Sequence, residues 1–277
     1  MKKIAVIMTV HNRCAQTIAC LQKLSEEKQQ CDIYLTDDGC TDGTAAAVRN
    51  SFPQVTIVEG DGTLFWNRGM RKAWEVAAAK HDYDFYLWLN DDTIIRKGFI
   101  DVLLKCSRSE EDKSIICGAV VSSKDNLKIS YGGFTSKIKL LPISDNKQSC
   151  IFASGNILLI PSYVYNKVGN LDYYYHHALG DFDYEGRARK KGIKIIQAPG
   201  YLGYCEKHAN IPVWRDINNN IFKRIKFLYS PLGRNPMEFL RFDYRHHGIG
   251  MAIVHFFTIH LRCIFPKLWY KKYDEKE

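Results

Sequence analysis

Residues 85–92 read Phe-Tyr-Leu-Trp-Leu-Asn-Asp-Asp, five apolar side chains running without a break into an amide and two carboxylates. A continuous apolar run of this kind marks a strand covered on both faces, as in parallel sheets. The polar residues at its end then sit where such sheets bind ligands, in the crevice outside the carboxyl ends of the strands. Two upstream segments repeat the pattern. Ile4 to Thr9 is an apolar run that gives way to His11, Asn12 and Arg13, and Asp32 to Thr36 leads into the turn from Asp37 to Thr44. Helical spacing over Ala15–Leu24 and over Trp66–Ala79, with a third strand at Val55–Val58, completes an alternation of strand and helix. That alternation predicts an α/β fold, a Rossmann-like, mostly parallel sheet with right-handed crossovers and flanking helices. Three polar loops are then expected to converge on one crevice.

Downstream, strands are expected at Ile115–Val121, Ile157–Ile160 and Ile193–Gln197, a hairpin over Tyr131–Leu141, a short helix opened by Pro161, and, after His177–Tyr184, a basic helix through Arg187, Arg189, Lys190 and Lys191 that stops at Gly192. After residue 211 the chain turns basic and aromatic. The segment Ile249–Phe265 is strongly apolar, but His255, His260 and Arg262 interrupt it and it falls short of the roughly 20 residues that span a bilayer. We expect one domain over residues 1–210 and a basic amphipathic helical tail over 211–277 that rests on a membrane surface.

The 277-residue chain carries a formal charge of +9. Such an excess suits nucleic acid, an anionic membrane or a phosphorylated ligand. Because the cations gather in the tail beside aromatics, anionic lipid is expected and nucleic acid is not. Nine scattered cysteines contain no CxxC pair, against a disulfide framework or a zinc ribbon. The first apolar run is too short for a secretory core, so a reducing, cytoplasmic setting is expected, peripheral at the inner face of the plasma membrane.

No GxxxxGK[ST] loop occurs, and Gly60-Asp61-Gly62 lacks the GxGxxG spacing, so P-loop and dinucleotide chemistry are excluded. Asn90-Asp91-Asp92 at a strand end suits a hard divalent cation bridging phosphate oxygens, the alternative being a turn or helix cap. Asp37 and Asp38 suit hydrogen bonds from a nucleobase or ribose, while Asp42 and Thr44 read as caps. Arg68 and Arg71, one helical turn apart, are either a solvated face or a diphosphate contact. Asp181 and Asp183 sit before a helix, where a carboxylate is either a cap or a general base. His176, His177 and His208 are further candidates, His208 as a metal ligand.

In this order the segments Met8–Arg13, Asp37–Thr44, Leu89–Asp92 and Gly180–Tyr184 with Arg187 resemble the family 2 glycosyltransferases of GT-A fold. Gly60–Met70 (GDGTLFWNRGM) and Gly155-Asn156 resemble the rhamnosyltransferase-like branch, and the likeness covers residues 3 to 210. The resemblance implies a nucleotide-diphosphate sugar donor held at the nucleoside by Thr9, His11, Arg13, Asp37 and Asp38, with Arg68, Asn90, Asp91, Gly155 and Asn156 also contacting it. It implies Mg²⁺ or Mn²⁺ on Asp92, with His208 as a second ligand, and Asp181 as catalytic base. Asn90 stands where an acid is usual, and Gly180 where the family has Glu. The implied activity is inverting transfer to a hydroxyl of a saccharide or lipid-linked saccharide in cell-surface polysaccharide synthesis. Two other classes remain: a nucleotidyltransferase, for which Thr9–Arg13 lacks the usual glycines, and a non-catalytic nucleotide-sugar-binding scaffold.

Overall fold

The computed structural model describes residues 2–124, 127–207 and 212–270. Its first third is β1 (Ile4–Val10), α1 (Cys14–Ser25), β2 (Asp32–Asp37), α2 (Thr44–Ser51), β3 (Thr56–Glu59), α3 (Phe65–Lys80) and β4 (Phe85–Leu89). Then come β5 (Ile94–Ile95), α4 (Phe99–Arg108), β6 (Ile115–Cys117), β7 (Val120–Val121), β8 (Ile129–Tyr131), β9 (Gly133–Phe134), β10 (Gln148–Cys150) and β11 (Phe152–Ala153). β12 (Ile157–Pro161), α5 (Ser162–Val168), α6 (Gly180–Lys190), β13 (Ile195–Gln197) and β14 (Gly203–Tyr204) follow. The end of the chain is helical, with a 3₁₀ turn (Val213–Arg215), α7 (Ile221–Leu228), α8 (Pro236–His247), α9 (Ile249–Ile264) and α10 (Lys267–Tyr270).

The main sheet has eight strands in the order β10-β13-β6-β12-β4-β1-β2-β3. β4, β1, β2 and β3 run parallel, as does β13 with β6, whereas β12 lies antiparallel between β4 and β6. The apolar runs are buried on both faces because successive side chains point to opposite sides. Val6, Met8, Leu87 and Leu89 join one core layer with α1 and α4, while Ala5, Ile7, Tyr86 and Trp88 join the other with α3 and α6. The antiparallel insertion fixes the site. It sets Ile157 opposite Leu89, and the Asn90 N–H donates to the Asn156 carbonyl at 3.0 Å, so the start of β12 meets the acidic end of β4.

The expected strand Ile115–Val121 is two strands in two sheets, β6 in the large one and β7 in a four-stranded one. The break falls at Gly118, where a Cβ would lie 2.9 Å from Leu202 and 3.1 Å from Ile157, so the chain turns through a space that admits no side chain. The expected hairpin is a short return in which Phe134 bridges Leu140.

The tail is built onto the rest of the chain. Asn220 caps α7 by accepting from the Lys223 N–H, and Asn235 caps α8 with Pro236 as its first residue. Phe242 on α8 packs with Tyr175 and Leu179, and α9 packs along α8 and against α7. Among the described residues no helix is long and apolar enough to cross a membrane.

Candidate active site

The strand ends of β1 and β4 meet through Arg13. Its guanidinium donates to Asp91 at 2.5 Å and to Asp92 at 2.7 Å, one nitrogen to each carboxylate. Asp91 is fully buried, and its second oxygen accepts from Thr17 on α1. Asp92 keeps part of its side chain exposed, with Oδ1 facing the Cys205 thiol at 3.6 Å. Burial pushes Asp91 up to about 7 against the pull of Arg13, and the neighbouring Asp92 adds to the rise. Two carboxylates thus share one guanidinium.

The β2 end is organised differently. Asp38 is buried, and its two oxygens accept backbone N–H groups of Gly62 (2.9 Å), Leu64 (3.2 Å) and Phe65 (2.8 Å). The Asp38 carboxylate thus acts as the clasp of the 60–65 loop. That loop must lie close, since a Cβ on Gly60 would come within 3.0 Å of Asp38 and one on Gly39 within 2.8 Å of Gly62. Asp37 is half-buried and accepts the Cys40 N–H at 2.8 Å. His11 is exposed and its Nδ1–H donates to the Asp38 carbonyl at 2.6 Å, which leaves Nε2 as an acceptor. Thr9 is buried beneath α3, where Gly69 leaves room for its hydroxyl.

Sequence reasoning missed Trp66 as the link between the halves of the site. Its indole Nε1–H donates to the Asn90 side-chain oxygen at 2.8 Å, and its ring lies on Gly155, where a Cβ would meet Trp66 at 2.7 Å. The Gly155 N–H in turn donates to Asp181 at 3.1 Å. The acidic loop that follows β4 and the carboxylate on α6 are thereby joined by one continuous chain: Arg13, Asp92 and Asp91, Asn90, Trp66, Gly155, Asp181. Asp181 is half-buried, and among the described residues no cation offsets its desolvation, which raises it despite the N–H groups of Phe182 and Gly155. Gly180 also finds its reason. A Cβ there would fall 1.9 Å from the Asn67 side-chain oxygen, and Asn67 holds the carbonyls of Asp172 and Tyr175 with its amide. The Glu expected by resemblance has no room.

Other expected residues lie apart from this rim. Arg68 stacks on Tyr173 at 4.3 Å and donates to its carbonyl. Arg71 donates to the Leu171 carbonyl and pairs with Glu75 at 2.5 Å, a structural use. Asp183 is fully buried and accepts from Arg187 (2.9 Å), Arg245 (2.7 Å) and His246 (2.9 Å); burial would raise it, but these partners bring it down to about 2. His176 pairs with Glu238 of α8 at 2.6 Å. His208 lies outside the described residues.

Residues 5–165, more than half of the chain, match the family model described as Glycosyl transferase family 2. The chain belongs to glycosyl transferase family 2. The solved mannosyltransferase PcManGT from Pyrobaculum calidifontis, in complex with GDP-Man and Mn²⁺, is similar with a TM-score of 0.57 at 14% identity, over 93% of this chain and 74% of that one. S. aureus TarS 1-349 in complex with UDP-GlcNAc is similar with a TM-score of 0.56 at 13% identity, over 88% and 73%. No curated protein matches by sequence. The fold is thus the GT-A arrangement of α/β layers, and the chain is a glycosyltransferase of that family.

For this family 2 glycosyltransferase the fit of a divalent cation is decided by the acidic loop. The described residues contain no cluster of three or more His, Cys, Asp or Glu that would cage a metal. An ion carried in on a diphosphate needs only one or two carboxylates, the substrate supplying the remaining oxygens. Asp92, a carboxylate that remains partly exposed at the strand end, fits that requirement.

Proposed function

We propose that the chain moves a hexosyl or rhamnosyl group, with inversion, from a nucleotide-diphosphate donor to a hydroxyl of a saccharide or lipid-linked saccharide in cell-surface polysaccharide synthesis. The observation that carries this reading is the connected rim from Arg13 and Asp92 through Asn90, Trp66 and Gly155 to Asp181. It puts a leaving-group end and a proton-accepting end on neighbouring loops. The neighbours with GDP-Man and UDP-GlcNAc support a nucleotide-sugar donor, and the Mn²⁺ of the first supports a divalent cation.

Donor binding falls to the strand ends. His11, Asp37 and Asn90 face the crevice as nucleoside and ribose contacts, with Thr9, Asn156 and Asp38 shaping its floor and wall. Asp91 holds Arg13, and Asp92 would hold Mg²⁺ or Mn²⁺ against the diphosphate. When bound, such an ion stabilises charge on the departing diphosphate as a Lewis acid. Asp181 takes the proton of the acceptor hydroxyl, whose oxygen attacks the anomeric carbon. The new C–O bond forms on the face opposite the breaking C–O bond to phosphate, which inverts the centre. Burial raises the basicity of Asp181, and the N–H groups of Gly155 and Phe182 fix its plane.

The test pairs binding with turnover. A thermal-shift screen of dTDP-, UDP- and GDP-sugars with Mn²⁺ identifies the donor, since a ligand of the folded state raises apparent stability. Asp181→Asn should keep that shift and lose transfer by at least about 10²-fold. Turnover near that of the unaltered enzyme removes Asp181 from the role, and a lack of nucleotide release with every donor favours the scaffold reading.

A further inference from the structure

Helix α9 is amphipathic the wrong way round for a helix packed on a soluble core. Its exposed positions are Ile249, Gly250, Met251, Ile253, Val254, Phe257, Leu261 and Ile264, and none of them is polar. Ile249, Ile253, Phe257 and Leu261 recur every four residues, so they form one stripe. Two polar residues of the same helix are tied to its neighbours: His255 bonds Asp243 of α8 at 2.9 Å, and His260 bonds the Tyr229 hydroxyl at 2.7 Å. The neighbouring α7 continues the outward stripe with Phe222, Ile225 and Tyr229, and Phe222 is 82% exposed. Isolated exposed apolar residues are ordinary, but a contiguous apolar face this long marks an interaction surface.

We propose that the α7–α9 face lies in the interfacial layer of an anionic membrane, with Phe222, Val254, Phe257 and Leu261 dipping below the headgroups. Charge selects the occupant. Residues 212–270 hold nine Lys and Arg against three Asp and Glu, and Lys223, Lys226 and Lys267 are exposed next to the apolar stripes. Anionic lipid attracts such a rim, whereas a second copy of the same face brings like charge to like charge. The helices lie along the surface, since none is long enough to cross it. The cations that serve the rim are distinct from those that fasten the tail: Arg241 and Arg245 face inward to Asp172 and Asp183. Ile249, at the start of α9, also lines a shallow cleft of about 270 Å³ with Tyr174, Met237, Leu240, Arg241 and Tyr244. The surface itself does not depend on the transferase reading, because lipid binding is measured without sugar.

The full chain is sedimented with vesicles of phosphatidylcholine, with and without phosphatidylglycerol. We expect binding to the anionic vesicles only, weakening as salt rises. Val254→Asp with Phe257→Asp, both at exposed positions, should lower partitioning at least about tenfold by removing inserted apolar area. Lys223→Gln and Lys226→Gln should each weaken it about fivefold. Unchanged circular dichroism and donor-induced thermal shift in these variants show that the fold is retained. No vesicle binding by the unaltered chain, binding that ignores Val254→Asp/Phe257→Asp, or a dimer that these substitutions dissociate in the absence of lipid each overturns the proposal.

Discussion

Replacing Arg245 by Met tests whether the tail is structural to the catalytic body. Asp183 lies in the interior of α6 and meets Arg187 of its own helix, but Arg245 and His246 come from α8. Its fall from 3.8 to about 2 is worth about 2–3 kcal/mol, at about 1.4 kcal/mol per pH unit. Breaking a buried ion pair costs about 3–5 kcal/mol when the remaining charge has no other partner. Here Arg187 and His246 remain, so Arg245→Met should cost about 2–3 kcal/mol, or a melting point about 5 °C lower for a chain of this size. Asp183→Asn combined with Arg245→Met should cost less than the sum of the single changes by at least about 1 kcal/mol, because the second removes an interaction already lost. The pH dependence follows from sign. The folded carboxyl titrates below the unfolded one, so its stabilisation is present above about pH 4 and is lost as pH falls toward 2. The Arg245→Met penalty should therefore shrink on acidification. Urea unfolding followed by circular dichroism at neutral pH and near pH 3 measures both effects. Additivity within about 0.5 kcal/mol, or a penalty that does not change with pH, refutes the coupling.

Three further outcomes follow from the rim. Gly155→Ala sets a methyl 2.7 Å from the Trp66 ring, so it should cost about 1–3 kcal/mol of stability and depress turnover more than donor affinity, as read from steady-state kinetics. Trp66→Phe removes the donor to Asn90 and should raise the donor KM about five- to tenfold, the worth of one lost hydrogen bond. Glu185 is buried and raised well above the ordinary carboxyl range by desolvation, so its contribution is lost as pH rises through the raised folded value. Glu185→Gln should accordingly lose less stability than the unaltered chain between about pH 5 and 8, in urea titrations at each pH.

The parallel half of the sheet was legible because β1, β2 and β4 are buried on both faces and leave unbroken apolar runs. Their polar ends were legible for the same reason, and Arg13 does join Asp91 and Asp92. What the sequence hid lies in close approaches. Nothing in the local pattern says that Gly155 lies under Trp66, that Gly180 faces Asn67, or that Asp38 turns back on the 60–65 loop, since each depends on segments distant in the chain. The same holds for the tail. Arg241, Arg245 and His246 read as one basic surface from residue 212 onward, but the fold turns them to Asp172 and Asp183 and leaves Lys223 and Lys226 outside.

Helix α6 shows how one short segment separates three carboxyl groups by environment alone. Asp181 and Glu185 are four residues apart and share a face, and both accept N–H groups from the connection between β11 and β12, Gly155 for the first and Ala153 for the second. Asp183 lies on the opposite face, toward α8. Cations surround it and hold it ionised, so it serves as an anchor and is withdrawn from proton transfer. Glu185 is fully buried and has one oxygen without a partner among the described residues, conditions that favour the neutral acid. With Glu185 neutral, Asp181 above it ionises without a second negative charge on the same face. Asp181 alone of the three combines a raised basicity with a partly open position. The motif Gly-Asp-Phe-Asp-Tyr-Glu therefore offers three acids in sequence, and packing leaves one of them free to accept a proton.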